Sequence, residues 1–83
     1  MTWTQAEIRT ARKADLPPIL DHRGLHLKPL PQDNFLVVQY DDLLVKRHYW
    51  RWPSRGLAGN AIDFFMRVLG LSFNDAMRQI LGP

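Results

Sequence analysis

The chemically richest stretch is Leu44-Val45-Lys46-Arg47-His48-Tyr49-Trp50-Arg51-Trp52, with Ser54 and Arg55 just beyond it. Lys46, Arg47, Arg51 and Arg55 fall within ten residues that hold no acid, and His48 lies among them. Read as one extended strand, pleating sends Lys46, His48, Trp50 and Trp52 to one face and Val45, Arg47, Tyr49 and Arg51 to the other. Each face then mixes rings with cations. Bases stack on aromatic rings at about 1–3 kcal/mol each while cations follow the phosphates, so the stretch suits unpaired nucleic acid. The competing reading makes one tryptophan and the tyrosine core, with lysine and arginine stems lying over them.

Other chemistries find less support. The loop Ser54-Arg55-Gly56-Leu57-Ala58-Gly59-Asn60 opens a helix, and free N–H groups there beside Arg55 would suit a phosphate. It has neither a Walker lysine nor a dinucleotide fingerprint, and its glycines equally serve plain backbone turns. Asp41 and Asp42 form a turn pair without a third acid or base at metal-site spacing. His22, His26 and His48 are scattered, and with no cysteine there is no thiolate zinc site and no disulfide. Ser54 and Ser72 have no base nearby in sequence. No nucleophile, base and stabiliser belong together, so an enzyme is not expected. Helix 60–69, the Gly70-Leu71 turn and helix 72–81 have the outline of a helix-turn-helix. The second helix offers only Asn74, Arg78 and Gln79, which makes the pair scaffold.

The elements that must position these residues fit one small domain of 83 residues. A 46% hydrophobic and 23% charged composition argues against disorder. Though the net charge is only +3, the local excess of cations over 46–55 draws polyanions unless it is an ordinary solvated sheet face. No apolar run approaches the roughly 18 residues of a membrane span, and the N-terminus lacks a signal peptide's hydrophobic segment. The expected compartment is the cytosol, with no membrane partner. Thr4 and Glu7 form a capping box for a polar helix over 5–13. Asp15 caps a second helix over 16–23, with Pro17 and Pro18 in its first turn and Gly24 as its stop. Leu25 to Leu30 alternates as a strand that Pro29 confines to an edge or a strand end. Phe35 to Tyr40 is the second strand and 43–52 a long third, an antiparallel meander. Asn60 with Asp63 starts the next helix, and Ser72 with Asp75 closes a capping box on the last. The expected fold class is α+β: a three-stranded antiparallel sheet, a short N-terminal helix and two C-terminal helices.

The run Tyr49-Trp50-Arg51-Trp52-Pro53-Ser54-Arg55-Gly56-Leu57-Ala58-Gly59-Asn60-Ala61-Ile62-Asp63-Phe64-Phe65, followed by Gly70-Leu71-Ser72-Phe73-Asn74-Asp75-Ala76, resembles the C-terminal half of the zinc-binding domain of bacterial DNA primases. It is still more similar to the cysteine-free form found before toprim-like domains of mobile-element proteins. The resemblance covers about residues 15–82. It implies a zinc-ribbon-like domain over 15–83, with 1–14 as a polar helical extension. Trp52 and Arg55 stand where the second pair of zinc cysteines would be, and the first pair, expected near 31–34, is missing too. Zinc binding is therefore not carried over, and no cofactor is expected. Losing the metal forfeits about ten or more kcal/mol of folding energy, which Trp50, Trp52 and the terminal helices would have to replace.

What the resemblance implies is a non-catalytic module that engages single-stranded DNA beside a separate toprim-like catalytic domain. Lys46, Arg47, Arg51 and Arg55 would meet phosphates. His48, Tyr49 and Trp50 would stack on bases, with Trp52 structural. The alternative is a protein-docking module for a catalytic domain or replication partner, with Trp50 or Tyr49 as its anchor. Residue types alone do not separate single-stranded DNA from RNA.

Overall fold

Between Leu27 and Gly59 the chain reverses direction four times, and each reversal is tight enough to leave neighbouring strands paired in sequence order. The structure, a computed structural model, describes residues 2–82. Its strands are β1 (Leu27–Leu30), β2 (Asn34–Val37), β3 (Leu44–Lys46), β4 (Tyr49–Trp52) and β5 (Leu57–Gly59). They form one antiparallel sheet in the order β1-β2-β3-β4-β5.

The sheet has five strands, not the three expected, for two reasons. The stretch 43–52 is a hairpin rather than a continuous strand. It folds back at Arg47-His48, leaving Lys46 opposite Tyr49, Val45 opposite Trp50 and Leu44 opposite Arg51. Arg47 takes a left-handed φ of 45°, which a side chain seldom adopts and which carries no glycine or asparagine signal. The second reason is β5, which is short and ends in a glycine. It pairs Leu57 with Trp52 and Gly59 with Trp50 where the sequence reads as a loop. Pro29 does lie on an edge strand, where its missing N–H costs no ladder bond.

Among the described residues, four helices lie on one side of the sheet. Helix α1 (Gln5–Arg12) has the full capping box: the Glu7 N–H donates to Thr4 Oγ1 at 3.0 Å and the Thr4 N–H to Glu7 Oε1 at 2.9 Å. Helix α2 (Leu16–His22) receives no side-chain cap from Asp15. Instead the Leu16 N–H donates to the Arg47 carbonyl at 2.8 Å, tying this helix start to the hairpin tip. Helix α3 (Ala61–Asp63) is capped by Asn60 and passes at once into a π-helical segment, Phe64–Val68, where a plain α-helix over 60–69 was expected. Helix α4 (Phe73–Leu81) takes its cap from Ser72, which accepts the Asp75 N–H at 3.1 Å. The Asp75 carboxylate does not close the expected box; it pairs with Arg78 at 3.2 Å.

The core forms where these helices meet one face of the sheet. Leu16 and Leu20 from α2, Val37, Val45 and Trp50 from the sheet, Phe64 and Phe65, and Met77 from α4 are all fully buried. Trp50 stands edge-on to Phe64 with ring centroids 5.7 Å apart. Burying an indole removes about 150–250 Å² from water, roughly 4–6 kcal/mol of gross driving force at about 25 cal/mol per Å². Helix α1 packs against the rest of the domain. Ala11 is fully buried, α1 packs on α3 and α4, and the Trp3 indole N–H donates to Asn74 Oδ1 at 2.8 Å.

Candidate nucleic-acid interface

The pleat and the two-residue turn together decide which side chains look outward. Trp50 and Trp52 point into the core with Val45, and Lys46, Tyr49 and Arg51 take the opposite face. The register extends that face across the sheet: Lys28 lies beside Leu36, Leu36 beside Leu44, Leu44 beside Arg51, and Arg51 beside Ala58. Leu30, Leu36 and Leu44 are half-buried here yet lie outside the core cluster, giving the face an apolar floor. Leu30, Asn34, Leu44, Lys46, Tyr49 and Arg51 line a shallow groove of about 320 Å³. The Tyr49 ring is 48% exposed, enough for a planar partner to lie on it.

The charge along β3 to β5 has one sign. No Asp or Glu occurs from residue 43 to 62. Among the described residues the one ion pair is Asp75–Arg78, so Lys28, Lys46, Arg47 and Arg51 have no carboxylate within reach. Uncompensated cations around an open ring raise the local concentration of polyanions.

The predicted residues divide into three groups. Lys46, Tyr49 and Arg51 share the outer face. Arg47 and His48 are exposed at the hairpin tip, at its edge. Trp50 cannot stack on a base: it is fully buried, and its indole N–H donates to the Asn60 carbonyl at 2.8 Å. Trp52 is buried, at 7% exposure, and stands edge-on to Tyr40 at 5.4 Å. Arg55 is away from the face altogether, its guanidinium carbon 4.9 Å over the Trp52 ring.

Local hydrogen bonding accounts for two further features. At the start of α3, two N–H groups are already occupied within the chain. The Asp63 N–H is taken by Asn60 Oδ1 and the Asn60 N–H by Asp63 Oδ2, both at 3.1 Å. The Ser54 N–H is taken by Asp42 Oδ2 at 2.9 Å, and the Ser54 hydroxyl donates to Asp42 Oδ1, which gives that acid a structural job. Among the described residues no three His, Asp or Glu side chains gather as a metal site requires. Lys28, Leu36 and Leu44 are the members of the face that the sequence reading missed. The alternation through Leu27-Lys28-Pro29-Leu30 held the signal, but only pairing with β2 shows that Lys28 belongs with Arg51.

No family model matches the chain, and no solved structure matches it. An uncharacterized, plasmid-encoded protein of Bacillus anthracis, pXO2-78, is 30% identical over 81 residues, which is 95% of this chain and 24% of that protein. The chain thus spans about a quarter of the length of the curated relative it matches. Among the described residues no helix is long and apolar enough to cross a membrane.

Proposed function

We propose that this chain is a non-catalytic module that binds single-stranded DNA across the outer face of its sheet. The observation that carries the reading is the open Tyr49 ring, set between Lys46 and Arg51 on a face with no acid in its strands β3 to β5. A base stacks on Tyr49, its phosphates run to Lys46 and Arg51, and Arg47 and His48 extend the basic surface past the hairpin tip. The half-buried leucines give the base an apolar bed, and nothing in the arrangement reads a base edge, so binding tolerates any sequence. The likeness of residues 49–76 to primase domains, and a plasmid-encoded relative, support a place in a cytoplasmic replication or mobile-element protein, with catalysis by a toprim-like domain elsewhere.

Fluorescence anisotropy of a labelled oligothymidylate, followed across a salt series, tests this. Affinity should fall by about 0.7 log units per log unit of salt for each phosphate neutralised, giving a slope of about −3 for contacts through Lys28, Lys46, Arg47 and Arg51. A profile that stays flat with salt rejects it.

A second reading has an observation of its own. Leu30, Leu36 and Leu44 form an apolar strip beside Tyr49 that a protein partner would cover, with the cations as its rim. In that case the oligonucleotide does not bind at any salt concentration, and a Leu36→Glu substitution breaks association with the partner without unfolding the domain.

A further inference from the structure

At the end of the sheet opposite the Arg47-His48 tip lies a second cleft, of about 390 Å³. The β2–β3 connection supplies Tyr40 and Asp41, β4 ends there in Trp52, and Arg55 and Arg67 complete its polar wall. We propose that this cleft is a phosphate site in which the guanidinium groups of Arg55 and Arg67, carried by different elements, hold one phosphate group between them.

Four observations converge on it. Neither arginine has a carboxylate within ion-pair distance among the described residues, so both forks are uncommitted. Arg55 is already placed by stacking over Trp52, and a pre-positioned planar fork loses little freedom when it takes up an oxyanion. Trp52 is buried, and its indole N–H meets no acceptor in the protein. A buried donor left unsatisfied by the chain is rare, and this one belongs to a residue of the cleft wall. Arg67 rides on the π-helical segment Phe64–Val68, a geometry that helices adopt frequently at functional sites.

Charge and shape select the ligand. Two arginines and Asp41 sum to one positive charge, which a single phosphodiester neutralises. A tetrahedral oxyanion offers oxygens to two forks at once, whereas a carboxylate presents one flat edge. The groove under Tyr49 shares no residue with this cleft. Along β4 the three steps from Tyr49 to Trp52, at about 3.3 Å each, separate these two residues of the groove and the cleft by about 10 Å. Where the phosphate belongs to a DNA strand, the inference rests on the reading given above; where it belongs to a small phosphorylated molecule, it stands by itself.

The test is NMR of the full chain, following arginine Nε–H and indole N–H signals. The probes are inorganic phosphate at constant ionic strength and, separately, a short oligothymidylate. Saturable shifts of Arg55, Arg67 and Trp52 at millimolar phosphate are expected, weakened at least about tenfold by Arg55→Gln or Arg67→Gln and kept by Lys46→Ala with Arg51→Ala. Competition between the two probes assigns the site to a strand, and saturation by phosphate alone assigns it to a small phosphorylated molecule. Both outcomes uphold the site. If neither probe moves these signals, or if the phosphate response survives intact in a folded Arg67→Gln variant, the site does not exist. Oligonucleotide binding that persists through Tyr49 in that case leaves the outer-face reading untouched.

Discussion

The Asp63 carboxylate occupies the space in which a side chain on Gly59 would begin: a Cβ there would lie 2.5 Å from Asp63 Oδ2. That carboxylate is held in place because it accepts the Asn60 N–H, half of the reciprocal cap that starts α3. Gly59 also ends β5 opposite Trp50, so the strand can enter the helix cap only without a side chain at this position. Gly59→Ala should cost about 1–3 kcal/mol by overpacking. Asp63→Ala alone should cost about 1 kcal/mol through the lost cap. The double variant should be less destabilised than the two costs added, because removing the carboxylate removes the clash. Urea denaturation of the four proteins decides it, and strict additivity would show that the clash is relieved some other way.

Tyr49 and Trp50 are neighbours in sequence with opposite fates. Trp50→Ala removes a fully buried ring and one of the two hydrogen bonds to the Asn60 carbonyl, which keeps the Phe64 N–H, at about 3–5 kcal/mol. A small domain has little more than that to lose, so the variant should be largely unfolded at room temperature. Tyr49→Ala should leave stability within about 0.5 kcal/mol. It should instead weaken oligonucleotide binding by about 1–3 kcal/mol, roughly 5- to 150-fold. Circular dichroism and anisotropy on the same two proteins separate the roles, and the opposite pattern would mean the outer face has been misassigned.

The reason sequence reading placed these rings only in part is a matter of counting. Alternation within 49–52 correctly separates Trp50 and Trp52 from Tyr49 and Arg51. What alternation cannot supply is the two-residue turn at Arg47-His48, because neither residue has the turn chemistry of Gly, Asn or Asp. Counting straight through it assigns Lys46 to the tryptophan side, when in fact it stands opposite Tyr49. The helices were legible because Thr4, Asn60 and Ser72 announce their caps. Strand β5 was not, since three residues, the last of them a glycine, carry no periodicity. Arg55 was drawn to the wrong site for a related reason: its ring partner, Trp52, faces the core side of the sheet.

Lys28 gives the face its reach. It lies three strands from Arg51 along one register line, about 14 Å at the usual spacing of about 4.8 Å. A strand crossing the sheet from Tyr49 therefore meets a cation at each side. Lys28→Ala, like Lys46→Ala and Arg51→Ala, should lower the salt slope by about 0.7, whereas Arg9→Ala on α1 should not change it. Equal slopes for all four variants would place the bound strand elsewhere.

Asp42 ties the β2–β3 connection to the turn after β4 through its two bonds from Ser54. Both bonds are charge-assisted but exposed, so Asp42→Ala should cost only about 1 kcal/mol. The effect should be local: faster hydrogen exchange at residues 39–42 and 53–56, with the core strands unchanged. Exchange that quickens uniformly would mean that the two loops hold the whole sheet rather than each other.

Removing residues 1–13 tests whether α1 is part of the domain. The cut deletes Ala11 from the core, takes Trp3 away from Asn74 and uncovers the faces of α3 and α4 on which α1 packs. Each of these losses falls among the costly kinds of change, and together they should lower stability by more than about 3 kcal/mol. Trp3→Ala isolates one contribution and should cost about 1–3 kcal/mol. Because α1 does not touch the outer face, the truncated protein, where it stays folded, should bind oligonucleotide with unchanged affinity. A truncated chain with the parent's urea midpoint would make α1 an appendage after all, and a stable truncated chain that no longer binds would bring α1 into the interface.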